Sequence, residues 1–138
     1  RKSCEHDISV EYQDELMLAK IDAKLIMQVI INLVDNAIKY TPAGSKIKVT
    51  AEKKNDWIYI SIADNGTGIP NNIKERVFEM FFTGNNKIAD SLRSLGLGLP
   101  LCKSIINAHG GEITLTDNEP HGCIFTFTLP SCEVNFNE

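Results

Sequence analysis

Four polar side chains recur at helical spacing in the stretch that starts at Asn32. They stand at i, i+4, i+7 and i+8, so a helix would carry all of them on one face: Asn32, Asn36, Lys39 and Tyr40. Amide oxygens are hard ligands suited to Mg²⁺, and a lysine one turn further on is suited to phosphate. The spacing therefore indicates a site for a metal-bound phosphate group, although a solvated polar face would give the same pattern.

A glycine-containing loop runs from Asp64 to Pro70, directly after a strand-like stretch. Gly66 and Gly68 permit a positive φ and let the backbone approach a ligand closely. A carboxylate at the end of a strand can accept a hydrogen bond from the exocyclic amine of adenine, and it would repel the carbonyl of guanine. The loop thus favours adenine recognition, while a tight turn after a strand also accounts for Asp-Asn-Gly.

A second glycine-rich loop, Gly96 to Leu99, leads into a helix. Its glycines free backbone N–H groups at a helix N-terminus, where anions bind readily. The loop is neither GxxxxGK(S/T) nor GxGxxG, which disfavours the P-loop and dinucleotide-binding folds and leaves a plain connector as the alternative. No Ser/His/Asp or Cys/His arrangement is apparent: His109 is predicted to cap a helix C-terminus, and His6 and His121 to lie on the surface.

Length and composition predict one soluble domain over residues 1–138. The chain is 43% hydrophobic and 23% charged, and its net charge of −4 does not favour a nucleic-acid groove. Its four cysteines form no CxxC pair, so we expect free thiols in a reducing compartment. The free thiols predict a cytosolic location. No apolar run reaches the ~18 residues of a membrane helix, and no secretory signal is visible.

Hydrophobic periodicity predicts the elements that must position these residues. Strands are predicted at 8–12, 46–52, 57–64, 112–116 and 123–129; helices at 22–40, from Ile73 to Phe78, and from Pro100 to His109. The polar segment 83–95 is predicted to be a mobile loop, and the tail from Pro130, including 131–138, to be loose. The order predicts an α+β fold: a two-layer sandwich whose mixed, mostly antiparallel sheet is covered on one face by helices.

Four ordered motifs resemble the ATP-binding domain of sensor histidine kinases, with its Bergerat-type fold. They are "NLVDNAIKYTP" (32–42), "DNGTGIP" (64–70), "FEMFF" (78–82) and "GLGL" (96–99), which match the N, G1, F and G2 boxes. "HGGEITL" and "FTFTLP" are similar to the closing strands, so the resemblance covers nearly the whole chain. The stretch 84–111 is most similar to the osmosensing potassium-uptake (Kdp) branch of that family.

The resemblance implies ATP and Mg²⁺ as cofactors and a role for each matching residue. It implies that Asn36 ligates Mg²⁺ and that Asp64 reads adenine. It further implies that Asn32 lies near the phosphates and that Lys39 and Tyr40 contact the phosphate and the rim of the nucleotide. The implied base pocket is shaped by Gly66, Gly68 and Ile69. Phe81 and Phe82 would anchor the lid hinge, and the triphosphate would be approached by Gly96, Leu97, Gly98 and Leu99. Segment 83–95 would be the ATP lid, with Lys87 and Arg93 as its cations.

Two departures from the family pattern stand out. Ser94-Leu95 replaces the first two residues of Gly-Thr-Gly-Leu-Gly-Leu, which affects the hinge of the lid. Gly122-Cys123 replaces a Gly-Thr pair before the last strand, which is expected to weaken one hydrogen bond near the base.

The resemblance implies the catalytic half of a two-component kinase, which presents the γ-phosphate of Mg·ATP to a histidine on a separate dimerisation domain. His6-Asp7 matches the acceptor motif only superficially, because its surroundings alternate like a strand. A response regulator would be the later partner, and the parent a membrane-anchored homodimer with this domain in the cytoplasm. Related ATPases carry a glutamate where Asn32 stands, and an amide is a poor general base. The alternatives are a nucleotide-binding regulatory module and a hydrolase or serine kinase of the same superfamily.

Overall fold

The computed structural model describes residues 6–12, 17, 19–74, 76–79 and 98–132. The elements of this part of the chain are, in order, β1 (Asp7–Tyr12), α1 (Ala23–Tyr40), β2 (Lys46–Lys54), β3 (Trp57–Asp64), α2 (Asn71–Lys74), α3 (Gly98–Ala108), β4 (Ile113–Asp117) and β5 (Cys123–Pro130). The α+β architecture predicted from the sequence is confirmed. The predicted mobile loop at 83–95 lies outside the described residues.

The five strands form one sheet in the order β1-β2-β3-β5-β4. β1 pairs with β2 in parallel, and the remaining pairs are antiparallel. Because β3 lies between β2 and β5, its last residue, Asp64, pairs with Ile47 near the start of β2 and lies next to Cys123 at the start of β5. The topology thus brings three distant parts of the chain to one end of the central strand.

Helices α1 and α3 cover one face of the sheet and pack against each other. α1 contacts β2 and β3, and α3 contacts β4 and β5. The alternation of β5 places Cys123, Phe125, Phe127 and Leu129 on the buried face. The other buried members of this core include Val29 and Leu33 of α1, Ile47 and Ile62 of the sheet, and Cys102 and Ile106 of α3. None of the helices in the described part of the chain is long and apolar enough to cross a membrane.

Helix α1 begins and ends as its sequence predicts. The Asp22 side chain accepts a hydrogen bond from the backbone N–H of Leu25 (3.2 Å), which satisfies one of the free donors of the first turn. At the other end Thr41 is extended, and its hydroxyl donates to the carbonyl oxygen of Ala37 (2.7 Å). Hydrogen bonds therefore fix both ends of α1. They also determine which of its residues face the sheet.

The first hairpin is tighter than predicted. β2 continues to Lys54 and pairs it with Trp57, so only Asn55 and Asp56 form the turn. Asn55 has φ 56°, a left-handed conformation that asparagine tolerates better than most residues. The strand bounds predicted from the sequence left a turn of four residues, 53–56. That prediction was wrong because Lys53 and Lys54, which suit a polar turn, continue β2 and pair with β3.

The second helix is shorter than the sequence pattern suggests. α2 covers only Asn71–Lys74, and a turn follows at residues 76–79. Ile73 and Val77 are nevertheless buried, and the ring of Phe78 packs edge-on against Phe125 with 6.0 Å between centroids. The apolar spacing correctly predicted which residues face the core. The backbone at 76–79, however, forms a turn and not the predicted helix.

The prediction of a loose tail from Pro130 was wrong for Pro130 and Ser131. Pro130 is the last residue of β5 and pairs with Trp57. The backbone N–H of Ser131 donates to the carbonyl of Asp56 (2.8 Å), and Ser131 forms a bridge with Ala19. Residues 133–138 lie outside the described part of the chain.

Two histidines make contacts that join distant elements. His109 donates from Nδ1 to the carbonyl of Ile105 (2.8 Å), as predicted for a helix cap, and its Nε2 accepts from the N–H of Asp22 (3.0 Å). His6, predicted to lie on the surface, is half-buried, with Nε2 3.0 Å from the hydroxyl of Thr41. The end of α3 is thereby tied to the beginning of α1, and β1 to the end of α1.

We expect His109→Leu to lower the free energy of unfolding by about 1–2 kcal/mol, because two hydrogen bonds between α3 and the cap of α1 are lost. Urea unfolding measures the change. Asn107→Leu on the exposed face of the same helix is the control and should have little effect. Equal losses in the two variants would show that the bridge contributes nothing.

Candidate functional site

A narrow pocket opens where the C-terminal end of β3 meets helix α1 and the start of β5. Its lining residues come from three segments of the chain: Asn36, Thr41, Asp64, Thr67, Gly68, Ile69, Cys123 and Phe125. Asn36, Asp64, Gly68 and Ile69 are residues that the sequence singled out separately. The fold therefore brings the asparagine of the long helix and the carboxylate of the glycine loop to one pocket.

The carboxylate of Asp64 is buried and held by backbone donors. Its side chain is 8% exposed, and Oδ1 accepts hydrogen bonds from the N–H groups of Gly66 (2.9 Å) and Cys123 (3.3 Å). Such bonds are needed because an unpaired buried charge is costly. Oδ2 has no hydrogen-bond partner among the described residues, so the orientation of the group is set while one oxygen remains for a ligand.

Two glycines are required for this arrangement because side chains would collide. A Cβ on Gly66 would lie 2.6 Å from Cγ2 of Thr41, and one on Gly122 would lie 2.0 Å from the backbone oxygen of Asp64. Gly68 and Gly122 also have positive φ, at 87° and 110°. The sequence pointed to Gly66 and Gly68, and to Gly122 only as part of the Gly122-Cys123 departure; the close approach of Gly122 to Asp64 was not predicted.

Asn36 supplies the most unusual polar atom of the pocket. The residue is 3% exposed, and its Oδ1 has no hydrogen-bond partner in the described part of the chain. Leaving a buried acceptor unpaired costs about 1–3 kcal/mol, so such atoms usually have a partner. Burial rules out a solvated surface position for this residue and points to a ligand that supplies the missing contact.

Asn32 and Lys39, two further members of the polar stripe, do not line this pocket. The side chain of Asn32 is half-buried between the helices, where Nδ2 faces the Sγ of Cys102 at 3.8 Å. Lys39 is exposed. The predictions for the side chain of Tyr40 lie outside what the structure describes. Among the members of the stripe whose side chains the structure describes, Asn36 is the one that lines the pocket.

The glycine loop before α3 is described in part. Gly98 begins α3, and both Gly98 and Leu99 are buried. The predictions made for the preceding segment concern residues outside the described part of the chain: Phe81, Phe82, Lys87, Arg93, Gly96 and Leu97.

The buried thiols are not nucleophiles. Burial raises the pKa of Cys102 to about 11, against a smaller opposing effect of the hydrogen bond from Asn32. Burial, followed by the nearby carboxylate of Asp64, raises the pKa of Cys123 to about 11. Both stay protonated at neutral pH. In the described residues no three His, Cys, Asp or Glu side chains cluster as metal ligands.

Cys123 also bears on the departure from the Gly-Thr pair noted in the sequence. The bond that it gives to Asp64 comes from its backbone N–H, which threonine would supply equally. The replacement of threonine therefore leaves this particular hydrogen bond in place.

Comparisons with known proteins agree with this architecture. Residues 21–133 match the family described as histidine kinase-, DNA gyrase B-, and HSP90-like ATPase. The sensor protein KdpD of Clostridium acetobutylicum is 43% identical over 125 residues, which are 91% of this chain and 14% of that protein. The adaptive-response sensory kinase SasA of Rippkaea orientalis is 42% identical over 132 residues, 95% of this chain and 31% of that protein.

A solved structure has the same fold. The nucleotide-free catalytic domain of histidine kinase ThkA superposes with a TM-score of 0.81 at 35% identity, covering 94% of this chain and 81% of that one. The chain belongs to the family of histidine kinase-, DNA gyrase B- and HSP90-like ATPases. Within it, the chain is a histidine kinase ATPase catalytic domain, homologous to those of two-component sensor kinases. It spans less than a third of KdpD or SasA. The family, fold and kinase class predicted from the sequence are confirmed.

We expect Gly122→Ala to destabilise the domain by about 3 kcal/mol or more, since a left-handed backbone and a collision with the oxygen of Asp64 add together. Gly44→Ala is the matched control, because Gly44 has φ +88° but open space around its Cβ position. It should cost about 1–2 kcal/mol from the backbone alone. Urea unfolding of both variants compares them, and equal costs would contradict the steric argument.

Proposed function

We propose that this domain binds Mg·ATP with the base against Asp64 and presents the γ-phosphate to a histidine on a separate dimerisation domain. A response regulator would then receive the phosphoryl group. One observation carries the proposal: the fixed carboxylate of Asp64 and the unpartnered oxygen of Asn36 line the same pocket. One group suits the amine of adenine, and the other suits a hard cation.

At the base end, selectivity for adenine follows from the fixed orientation of Asp64. With Oδ1 engaged by two backbone N–H groups, Oδ2 is available to accept from the exocyclic amine. Guanine would place a carbonyl oxygen against this carboxylate and be repelled. Gly66 shapes the loop, while Gly68 and Ile69 form the wall of the base pocket.

At the phosphate end, Asn36 is the proposed Mg²⁺ ligand. An amide oxygen suits this ion, and Oδ1 lacks any other partner in the described residues. When bound, Mg²⁺ would neutralise charge on the phosphates. Further along the same helix, Asn32, Lys39 and Tyr40 are proposed to contact the phosphates and the rim of the nucleotide. The triphosphate would also contact the loop from Gly96 to Leu99, with Lys87 and Arg93 as cations.

The position of Asn32 favours phosphotransfer over hydrolysis. An amide does not accept a proton from water at neutral pH, so Asn32 cannot activate it as a glutamate would. Catalysis of phosphoryl transfer rests chiefly on positioning and charge neutralisation, for which the residues of this site suffice. A purely regulatory nucleotide-binding module and a hydrolase or serine kinase of the superfamily are the competing functions.

For the parent protein we propose a membrane-anchored homodimer with this domain in the cytoplasm. The 43% identity to KdpD supports a sensor of the same branch, with potassium supply as its stimulus. ThkA has been solved in complex with the response regulator protein TrrA, which supports a partner of that class here.

The test of this function uses labelled ATP and the dimerisation domain of the parent kinase. We expect the domain alone to bind ATP without acid-labile label or sustained phosphate release. Mixed with the dimerisation domain, it should label the acceptor histidine, and Asp64→Asn should abolish this at low ATP. Label on His6, which is half-buried against Thr41, would contradict the proposal. Phosphate release by the domain alone would favour a hydrolase, and ATP binding without any transfer would favour a regulatory module.

A second prediction concerns the metal. Asn36→Ala should weaken binding of ATP in Mg²⁺ by roughly 10- to 100-fold while leaving binding in EDTA nearly unchanged, because only the metal-bound form uses Oδ1. Isothermal titration calorimetry measures both affinities. Gln28→Ala, on the exposed face of α1, is the control. Equal losses with and without the metal would show that Asn36 only packs.

A further inference from the structure

The loop between β4 and β5 (118–122) contacts the outer side of the segment that carries Asp64. The pairing of β3 with β5 ends at Ala63 and Ile124, so the sheet leaves the carbonyl of Asp64 without a partner on this side. The side-chain amide of Asn118 donates to that carbonyl at 2.7 Å. The side chain of Asn118 thereby extends the hydrogen bonding of the sheet by one residue, to Asp64, whose carboxylate lines the pocket.

The amide of Asn118 is itself fixed by its own loop. Its Oδ1 accepts from the N–H of Glu119 (2.8 Å), and its backbone N–H donates to the carbonyl of Gly122 (2.9 Å). The direction of Nδ2 is thus determined, because the oxygen of the same amide is engaged. Asn118 is also 54 residues from Asp64 in the sequence, so this bond links two loops that no local turn holds together.

His121 makes a second bond across the same gap. Its Nδ1 lies 2.8 Å from the carbonyl oxygen of Gly66, which only accepts, so Nδ1 carries the proton. Gly66 is the residue whose N–H donates to Oδ1 of Asp64. The imidazole therefore holds the peptide group next to the donor that orients the carboxylate.

Neither side chain is among the residues that line the pocket of Asn36 and Asp64, although both line a neighbouring cavity together with Gly68 and Ile69. Their bonds to the carbonyls of Asp64 and Gly66 act on the segment itself. On its opposite side, that segment is tied to the start of β2, where Asn65 accepts from the N–H of Lys46 (2.7 Å). With this tie on one side and Asn118 and His121 on the other, the residues around Asp64 are braced from both directions.

We propose that Asn118 and His121 are positioning residues that set how strongly Asp64 discriminates the exocyclic amine of the base. This inference rests on the proposed role of Asp64 in reading adenine. It assigns a function to two residues of the β4–β5 loop that do not line the pocket of Asn36 and Asp64. Losing either side chain lets the Asp64 segment relax, so selectivity falls before general nucleotide binding does.

The experiment compares ATP with purine riboside 5′-triphosphate, which lacks the exocyclic amine, by calorimetry on the domain. For the unaltered protein we expect ATP to bind about 10- to 100-fold more tightly, the amount of one charge-assisted hydrogen bond. If the two nucleotides bind equally, the proposed reading of adenine by Asp64 fails, and the positioning role fails with it.

Asn118→Asp is the sharpest variant because it keeps the shape and the bond from Glu119 but places an acceptor against the carbonyl of Asp64. His121→Ala is the second variant, and its exposed side chain makes loss of folding improbable as an explanation. Glu119→Ala is the control, since its exposed side chain takes no part in these bonds.

We expect the preference for ATP to fall at least about threefold in both variants and to stay constant in Glu119→Ala, with the affinity for the purine nucleotide almost unchanged. A merely structural role would weaken both nucleotides by the same factor and leave the ratio intact. That outcome would overturn the positioning role. The role would also be overturned if the unaltered protein prefers ATP and both Asn118→Asp and His121→Ala keep the same preference. In either case Asp64 would remain the residue that reads the base.

Discussion

The buried carboxylate of Asp64 is the constraint around which the pocket is arranged. A charge at this depth needs donors, and they come from the backbone of its own loop and from Cys123 at the start of β5. The donor from Cys123 is in place because β5 pairs with β3 in the sheet. The backbone of the loop before β5 approaches Asp64 so closely that only glycine fits at position 122. The order of the strands and the sequence of the loop therefore together determine how the side chain of Asp64 is held.

Helix α1 forms the wall of the pocket opposite Asp64, and hydrogen bonds at both ends of the helix fix its position. Asp22 caps the first turn and Thr41 closes the last. His109 fixes the first end to α3, and His6 contacts Thr41 at the other. Since the helix can neither slide nor rotate without losing these bonds, Asn36 faces Asp64 in a defined geometry. Contacts at the two ends of the helix thus determine where its polar atoms lie in the pocket.

Features that depend on neighbours in sequence were predictable, and those that depend on distant contacts were not. The periodicity of α1, its cap at Asp22 and the alternation of β5 are local signals of burial, and the structure follows them. Asn36 and Asp64 could be named because they stand in motifs whose joint presence and order along the chain resemble those of sensor histidine kinases. Asn118 and His121 could not, since each bonds to a residue 54 or 55 positions away. At α2, periodicity reported burial of Ile73 and Val77 but could not report the backbone hydrogen bonds, which form a turn.

The unpartnered oxygen of Asn36 has a consequence for the evolution and engineering of this fold. An unmet buried acceptor costs about 1–3 kcal/mol in the free domain, a sizeable part of the roughly 5–15 kcal/mol that keeps such a domain folded. Selection for heat resistance alone, acting on the ligand-free protein, would favour an apolar side chain at this position. The asparagine is therefore a place where thermostability and activity compete, and libraries screened only for melting temperature would tend to discard it.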